Sequence, residues 1–168
     1  MPVPTLSTAQ ADPTPVAVSG TPFVSSRYGY GLTIPDGWTL TEVPGTGGLH
    51  PDEPGVDTYQ GTNGRILSVV GETLAPGANL GSWTCAIGQH LTRDHQTPVE
   101  STELLMVAGK TARLTRYHLH IDPYVIHYLN VEIVDGGEGL TLSMESTAHD
   151  DAADEVVLRS LLESLALS

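Results

Sequence analysis

A single cysteine, Cys85, and a single lysine, Lys110, are the scarcest chemistry in this 168-residue chain. One thiol cannot close an internal disulfide, so stability has to come from a buried core, and the redox compartment is left open. Basic side chains are few in total: Lys and Arg number 7 against 20 Asp and Glu, a formal charge of -13. A surface of that sign repels phosphate backbones and anionic headgroups, which argues against nucleic acid and acidic membranes as partners. Long apolar runs are missing as well. No stretch approaches the roughly 18 residues that a membrane-spanning helix needs, so no membrane span is expected. The opening MPVPTLSTAQADPTPVAVSG has neither a basic n-region nor an apolar h-region. The expected location is therefore the cytoplasm, with an exported domain stripped of its leader as the alternative. G-x-S-x-G, H-E-x-x-H, Walker and C-x-x-C patterns are all absent, so no recognised catalytic arrangement is spelled out.

What is present reads as one domain, long enough to bury roughly two thirds of its unfolded surface. Residues 1 to 21 are rich in Pro, Ser, Thr and Ala without apolar period, which predicts a flexible tail ahead of a single domain over 22 to 168. In YGYGLTIPDGW, residues 28 to 38, Tyr28, Tyr30, Leu32 and Ile34 alternate with small or polar residues. That is the period of a half-buried strand, ended by the turn chemistry of Pro35, Asp36 and Gly37, with Trp38 anchoring the turn onto the core. A phosphate-cradling loop needs its glycines between a strand and a helix. Here Gly29 and Gly31 are read as lying within the strand, so the stretch is structural.

Residues 44 to 64 form a long Gly- and Pro-rich connection with one short strand near Val56 to Tyr59, and HPDE at His50 to Glu53 within it reads as a solvated acidic loop. RILSVVGETLA, residues 65 to 75, reads as a buried strand. A helix over 80 to 93 places Leu80, Trp83, Ile87 and Leu91 on one stripe and turns Cys85 outward. Strands follow at 103 to 108, 111 to 121, 124 to 134 and 139 to 147. A last helix over 151 to 166 has Val157, Leu158, Leu161, Leu162 and Leu165 as its apolar stripe, with Glu155, Arg159 and Glu163 on a solvated side.

If Asp122 and Pro123 form a two-residue loop, Ile121 pairs with Tyr124. Tyr117, Ile121, Tyr124 and Tyr128 then share one face, and His118, His120 and His127 share the other. Both faces are substantially apolar, which predicts an α+β fold: an antiparallel meander covered by helices on both sides, an α/β/α sandwich. His127 falls across from His118, with Cβ atoms about 5 Å apart. Three imidazoles on one patch could bind zinc or copper, the metal-dependent alternative to a cofactor-free protein. No acid stands beside them in sequence to orient them. Tyr117, Tyr124 and Tyr128 are the candidate lining of a ligand pocket, since tyrosines with one wet end gather at binding surfaces.

The strand ending in LTIPDGW, the strand RILSVV, a helix, a central meander and a C-terminal helix VVLRSLLESLAL together resemble the PsbP-like fold over residues 22 to 167. That fold is shared by photosystem II accessory proteins, a Ran-binding Mog protein and many bacterial proteins, among them actinobacterial LpqN-type lipoproteins. The resemblance implies an accessory or binding role toward a protein partner or small molecule, and carries no catalytic motif. The lipobox cysteine of the lipoprotein members has no counterpart here.

Overall fold

The computed structural model describes residues 18–43, 55–94, 97–147 and 151–168. The expected tail falls largely outside them, as does HPDE at His50 to Glu53 with the first half of its connection. Gly20 and Thr21, at the far end of the expected tail, are already part of a strand.

Among the described residues two antiparallel sheets are formed. The larger has seven strands: β3 (Thr39–Val43), β4 (Val56–Gln60), β5 (Ile66–Thr73), β9 (Glu138–Ser146), β8 (Tyr124–Asp135), β7 (Lys110–Ile121) and β6 (Val99–Val107), in that spatial order. The smaller is three-stranded, with β2 (Tyr30–Pro35) between β1 (Gly20–Val24) and β10 (Ala166–Leu167). Helix α1 (Leu80–Asp94) packs against β6, β7 and β8, and α2 (Asp151–Glu163) against β2 and β8.

Residues directly opposite in an antiparallel pair point to the same face, so the register sorts the large sheet into two. One face is a continuous apolar field. Leu67, Met144 and Leu129 form one row across it, and Val69, Leu142, Val131 and Leu114 the next. These meet Leu158, Leu161, Leu162 and Leu165 around α2, together with Tyr30 and Leu32 of the small sheet, in one buried cluster. Each leucine withdrawn from water there contributes roughly 2 kcal/mol. The other face is more polar: Thr115, Asn130 and Ser143 form one row, Arg113, Glu132 and Thr141 another. Trp83 of α1 lies on Gly139, donating its indole N–H to Glu72.

The turn after β2 closes as its residues dictate. Gly37 takes φ +85° and the Trp38 N–H donates to the Pro35 carbonyl at 3.1 Å. Trp38 rests on Gly61. Gly29, read from sequence as lying within the strand, belongs instead to the turn before it with φ +67°; only Gly31 is in β2, paired with Val24 and Ala166.

Glu155 and Arg159 are not a solvated face. The Arg116 Nη2 group of β7 donates to Glu155 and to Glu103 of β6, both at 2.7 Å, and Arg159 Nη2 donates to Glu103 at 2.9 Å. The helix is thus bound to the sheet edge by two arginines and two glutamates. Strands β1, β3 and β10 have no counterpart in the pattern read from sequence: the first two are five-residue strands paired to the next strand along the chain, and the two-residue β10 reaches back to β2.

Candidate functional site

The hairpin of β7 and β8 turns at Asp122-Pro123, a cis peptide, with Ile121 opposite Tyr124 and His118 opposite His127, the register expected from sequence. The His118 ring lies 5.7 Å from that of His127 and 5.0 Å from that of His120. Two carboxylates from elsewhere in the chain reach the patch. Glu100 of β6 meets His118 Nδ1, and Asp151, the first residue of α2, meets His127 Nδ1 at 2.9 Å. A carboxylate on Nδ1 sets the orientation of an imidazole and directs its other nitrogen away. A cleft of about 110 Å³ opens beside them, bounded also by Arg116 and Glu155. Among the described residues no three His, Cys, Asp or Glu side chains converge as a set able to hold a metal ion.

The three tyrosines do not stay together. Tyr117 and Tyr128 stack with ring centroids 4.9 Å apart and planes 4° from parallel, whereas Tyr124 stands at the hairpin tip, 63% exposed. Asn130 Nδ2 donates to the Tyr117 hydroxyl at 3.2 Å and its Oδ1 accepts from Ser143 at 2.6 Å. Burial pushes the Tyr117 hydroxyl up to about 12 and raises that of Tyr128, the latter helped by the neighbouring Glu145 carboxylate.

The sheet edge at β6 is the feature that sequence reading passed over. β6 ends the seven-stranded order and, among the described residues, has one neighbour, β7. Leu104 is 69% exposed and Met106 67% exposed along it. The signal was legible: in ELLMV, residues 103 to 107, apolar residues occupy both parities where a half-buried strand should alternate. Between β6, β7 and the first turn of α1 runs an open groove of about 490 Å³ lined by Leu80, Leu104, Thr84, Thr102, Thr111 and Arg113. Glu132, directly across from Arg113, is 1% exposed. Burial lifts its carboxyl to about 7 against the pull of a 3.3 Å hydrogen bond from Thr115 and of the Arg113 charge. Glu103, also on the groove, is held below the usual carboxylate range, chiefly by its hydrogen bond from Arg116.

No protein-family model matches the chain, and no curated protein matches it in sequence. Solved structures do match in shape. The solution structure of the cyanobacterial PsbP protein CyanoP from Synechocystis sp. PCC 6803 superposes with a TM-score of 0.68 at 15% identity, covering 97% of this chain and 99% of that one. A point mutant of the protein Mog1 gives 0.57 at 11% identity over 89% of this chain and 96% of its own. A Pseudomonas aeruginosa protein of unknown function, described as a putative regulator, gives 0.55 at 13% identity over 88% and 96%. Likeness at such identities speaks for architecture alone, and by it this chain has the PsbP-like fold, a mostly antiparallel β structure with, among the described residues, two α-helices.

Proposed function

We propose that the chain is a non-catalytic binding protein whose partner is another polypeptide, docked as an extended segment along the open edge of β6. The carrying observation is the uncharged half of that edge. From Leu104 to Val107, among the described residues, it offers an edge with no second strand, flanked by the side chains of Leu104 and Met106 in water. Edges of this kind are ordinarily blunted by charge or proline because they recruit strands. A strand added there gains main-chain hydrogen bonds for affinity and alternate side-chain contacts for selectivity. The charge of -13 favours a partner of basic composition, steered by long-range attraction. The accessory PsbP proteins share the fold, which agrees with such a role. The same reading takes the architecture as an α/β/α sandwich, with α2 on the Leu142 face and α1 on the Gly139 face.

The experiment is selection of binders from a displayed library of extended peptides, followed by affinity measurement on the wild type and on Leu104→Lys/Met106→Lys. Selected peptides should carry net positive charge, raise hydrogen-exchange protection of β6 amides, and bind the double variant at least about tenfold more weakly at unchanged melting temperature. Equal affinity for the double variant, protection elsewhere, or self-association of the chain through β6 in sedimentation would overturn the reading.

A further inference from the structure

We infer that the groove between α1 and β6 is a binding site for a carboxylate carried on an apolar body, with Arg113 as its anion-recognising group. The site shares Leu104 with the β6 edge, but its anion-recognising group, Arg113, lies on β7, so Arg113 variants test it apart from strand addition at β6.

In an acidic chain an arginine has no shortage of partners, and the others whose side chains are described all meet a carboxylate within 4.0 Å: Arg27 meets Asp57, Arg65 meets Asp154, and Arg116 and Arg159 share Glu103 and Glu155. Among the described residues Arg113 makes no such pair, and its Nε is buried without a hydrogen-bond partner. A guanidinium that lines a cavity, forms no ion pair among the described residues and has its Nε unpartnered is suited to a planar, two-oxygen acceptor, which such a group grips with parallel N–H donors.

The two carboxylates nearby leave that role open. Glu103 is already committed to Arg116 at 2.7 Å and Arg159 at 2.9 Å. Glu132, across the strand pair from Arg113, forms no ion pair with it within 4.0 Å, and burial disfavours its charged form. The first turn of α1, facing the groove at Leu80 and Gly81, carries no acidic residue that would repel an anion.

The rest of the lining sets the ligand's other end. Leu80 and the exposed Leu104 are apolar walls, and Thr84, Thr102 and Thr111 supply hydroxyls. The volume of about 490 Å³ lies within the range of small-ligand sites. A phosphate would demand more positive charge than one guanidinium supplies, whereas a monocarboxylate with an aliphatic or aromatic body matches one cation and two leucines.

That chemistry has two sources, a free acid and the C-terminus of a peptide ending in an apolar residue. Octanoate and an acetylated hexapeptide ending in leucine distinguish them. Each is titrated into isotope-labelled full-length protein while amide, methyl and arginine Nε–Hε resonances are followed. Expected are saturable shifts at Leu80, Gly81, Thr84, Leu104, Thr111 and the Arg113 side chain for at least one probe. Octanol, or the peptide as its C-terminal amide, should bind at least about tenfold more weakly, as should Arg113→Gln. Arg113→Lys, which keeps the charge and loses the fork, should fall between, and it serves should the glutamine variant not fold. Equal binding of acid and alcohol, equal binding by both Arg113 variants, or shifts confined to other surfaces would overturn the assignment.

Discussion

The indole of Trp83 on α1 occupies the space that a side chain at Gly139 of β9 would need. A Cβ there would stand 2.7 Å from Trp83 Cζ2, well inside contact distance. Gly139→Ala should therefore push α1 outward and destabilise by about 1 to 3 kcal/mol, as overpacking does. Gly88, within the same helix, has nothing within 4 Å of its would-be Cβ. Gly88→Ala should leave stability unchanged or raise it by up to about 1 kcal/mol, the helix-propensity difference. Urea unfolding of both variants checks the pair; similar effects would mean that Trp83 is not seated on the sheet.

Arg116, Arg159, Glu103 and Glu155 form a closed set joining α2 to the sheet edge. Burial works against the Glu155 charge, and hydrogen bonds from Arg116 and Arg159 outweigh it, so its carboxyl lies below the usual range. Arg116→Ala leaves two half-buried acids sharing the single guanidinium of Arg159 and should cost about 1 to 3 kcal/mol. A double-mutant cycle between Arg116 and Glu155 should return a favourable coupling of about 1 kcal/mol. A coupling indistinguishable from zero would place the pair in the weak class of exposed ion pairs.

Glu132 and the Glu103–Glu155 pair bend the pH dependence of stability in opposite senses. Glu103 and Glu155 titrate lower when folded, so their contribution is present above the unfolded carboxylate range and lost as pH falls below it. Glu132 rises to about 7 on folding. Its folded form holds a proton that the unfolded chain has released, so stability falls as pH climbs from about 4.5 through 7. Glu132→Gln should cancel that decline, gaining on the order of 3 kcal/mol relative to wild type between pH 4.5 and 8. Denaturant melts at stepped pH test it, and parallel curves for the two proteins would show that Glu132 ionises freely.

Asp57, 1% exposed, joins the two sheets through hydroxyls. Ser25 donates to it at 2.7 Å and Tyr30 at 3.0 Å, with the Tyr59 hydroxyl 2.6 Å from that of Tyr30. Tyr30→Phe removes one donor to a buried carboxylate and should destabilise by about 1 to 3 kcal/mol. Ser25→Ala should do likewise, and the two together should exceed their sum. Thermal unfolding of the three variants measures it; strict additivity would mean that water replaces the lost donors.

The β7–β8 register was legible because a two-residue connection at Asp122-Pro123 leaves one pairing that keeps the period-2 faces consistent, so His118 fell opposite His127 as expected. Leu158, Leu161 and Leu162 were likewise readable as the buried stripe of α2, while Leu165, buried too, lies past the helix end at Glu163, where the expected last turn gives way to β10. Glu155 and Arg159 were misread for a definite reason. A helical period states the angle at which a side chain leaves its own axis, and says nothing of an arginine 39 residues earlier that waits at that angle. Arg113 reads as one polar position in an alternating strand; the groove beside it exists only because α1 crosses β6 and β7 there.

Period and turn chemistry are local properties, and these alone settle which apolar stripes turn inward and that the chain reverses at Gly37 and at Asp122-Pro123. The meeting of Glu100 with His118, of Asp151 with His127, and of Asp57 with Tyr30 depends on how whole elements come to rest against one another. That arrangement is decided by the burial of all the apolar faces at once, and no short stretch of the chain contains it.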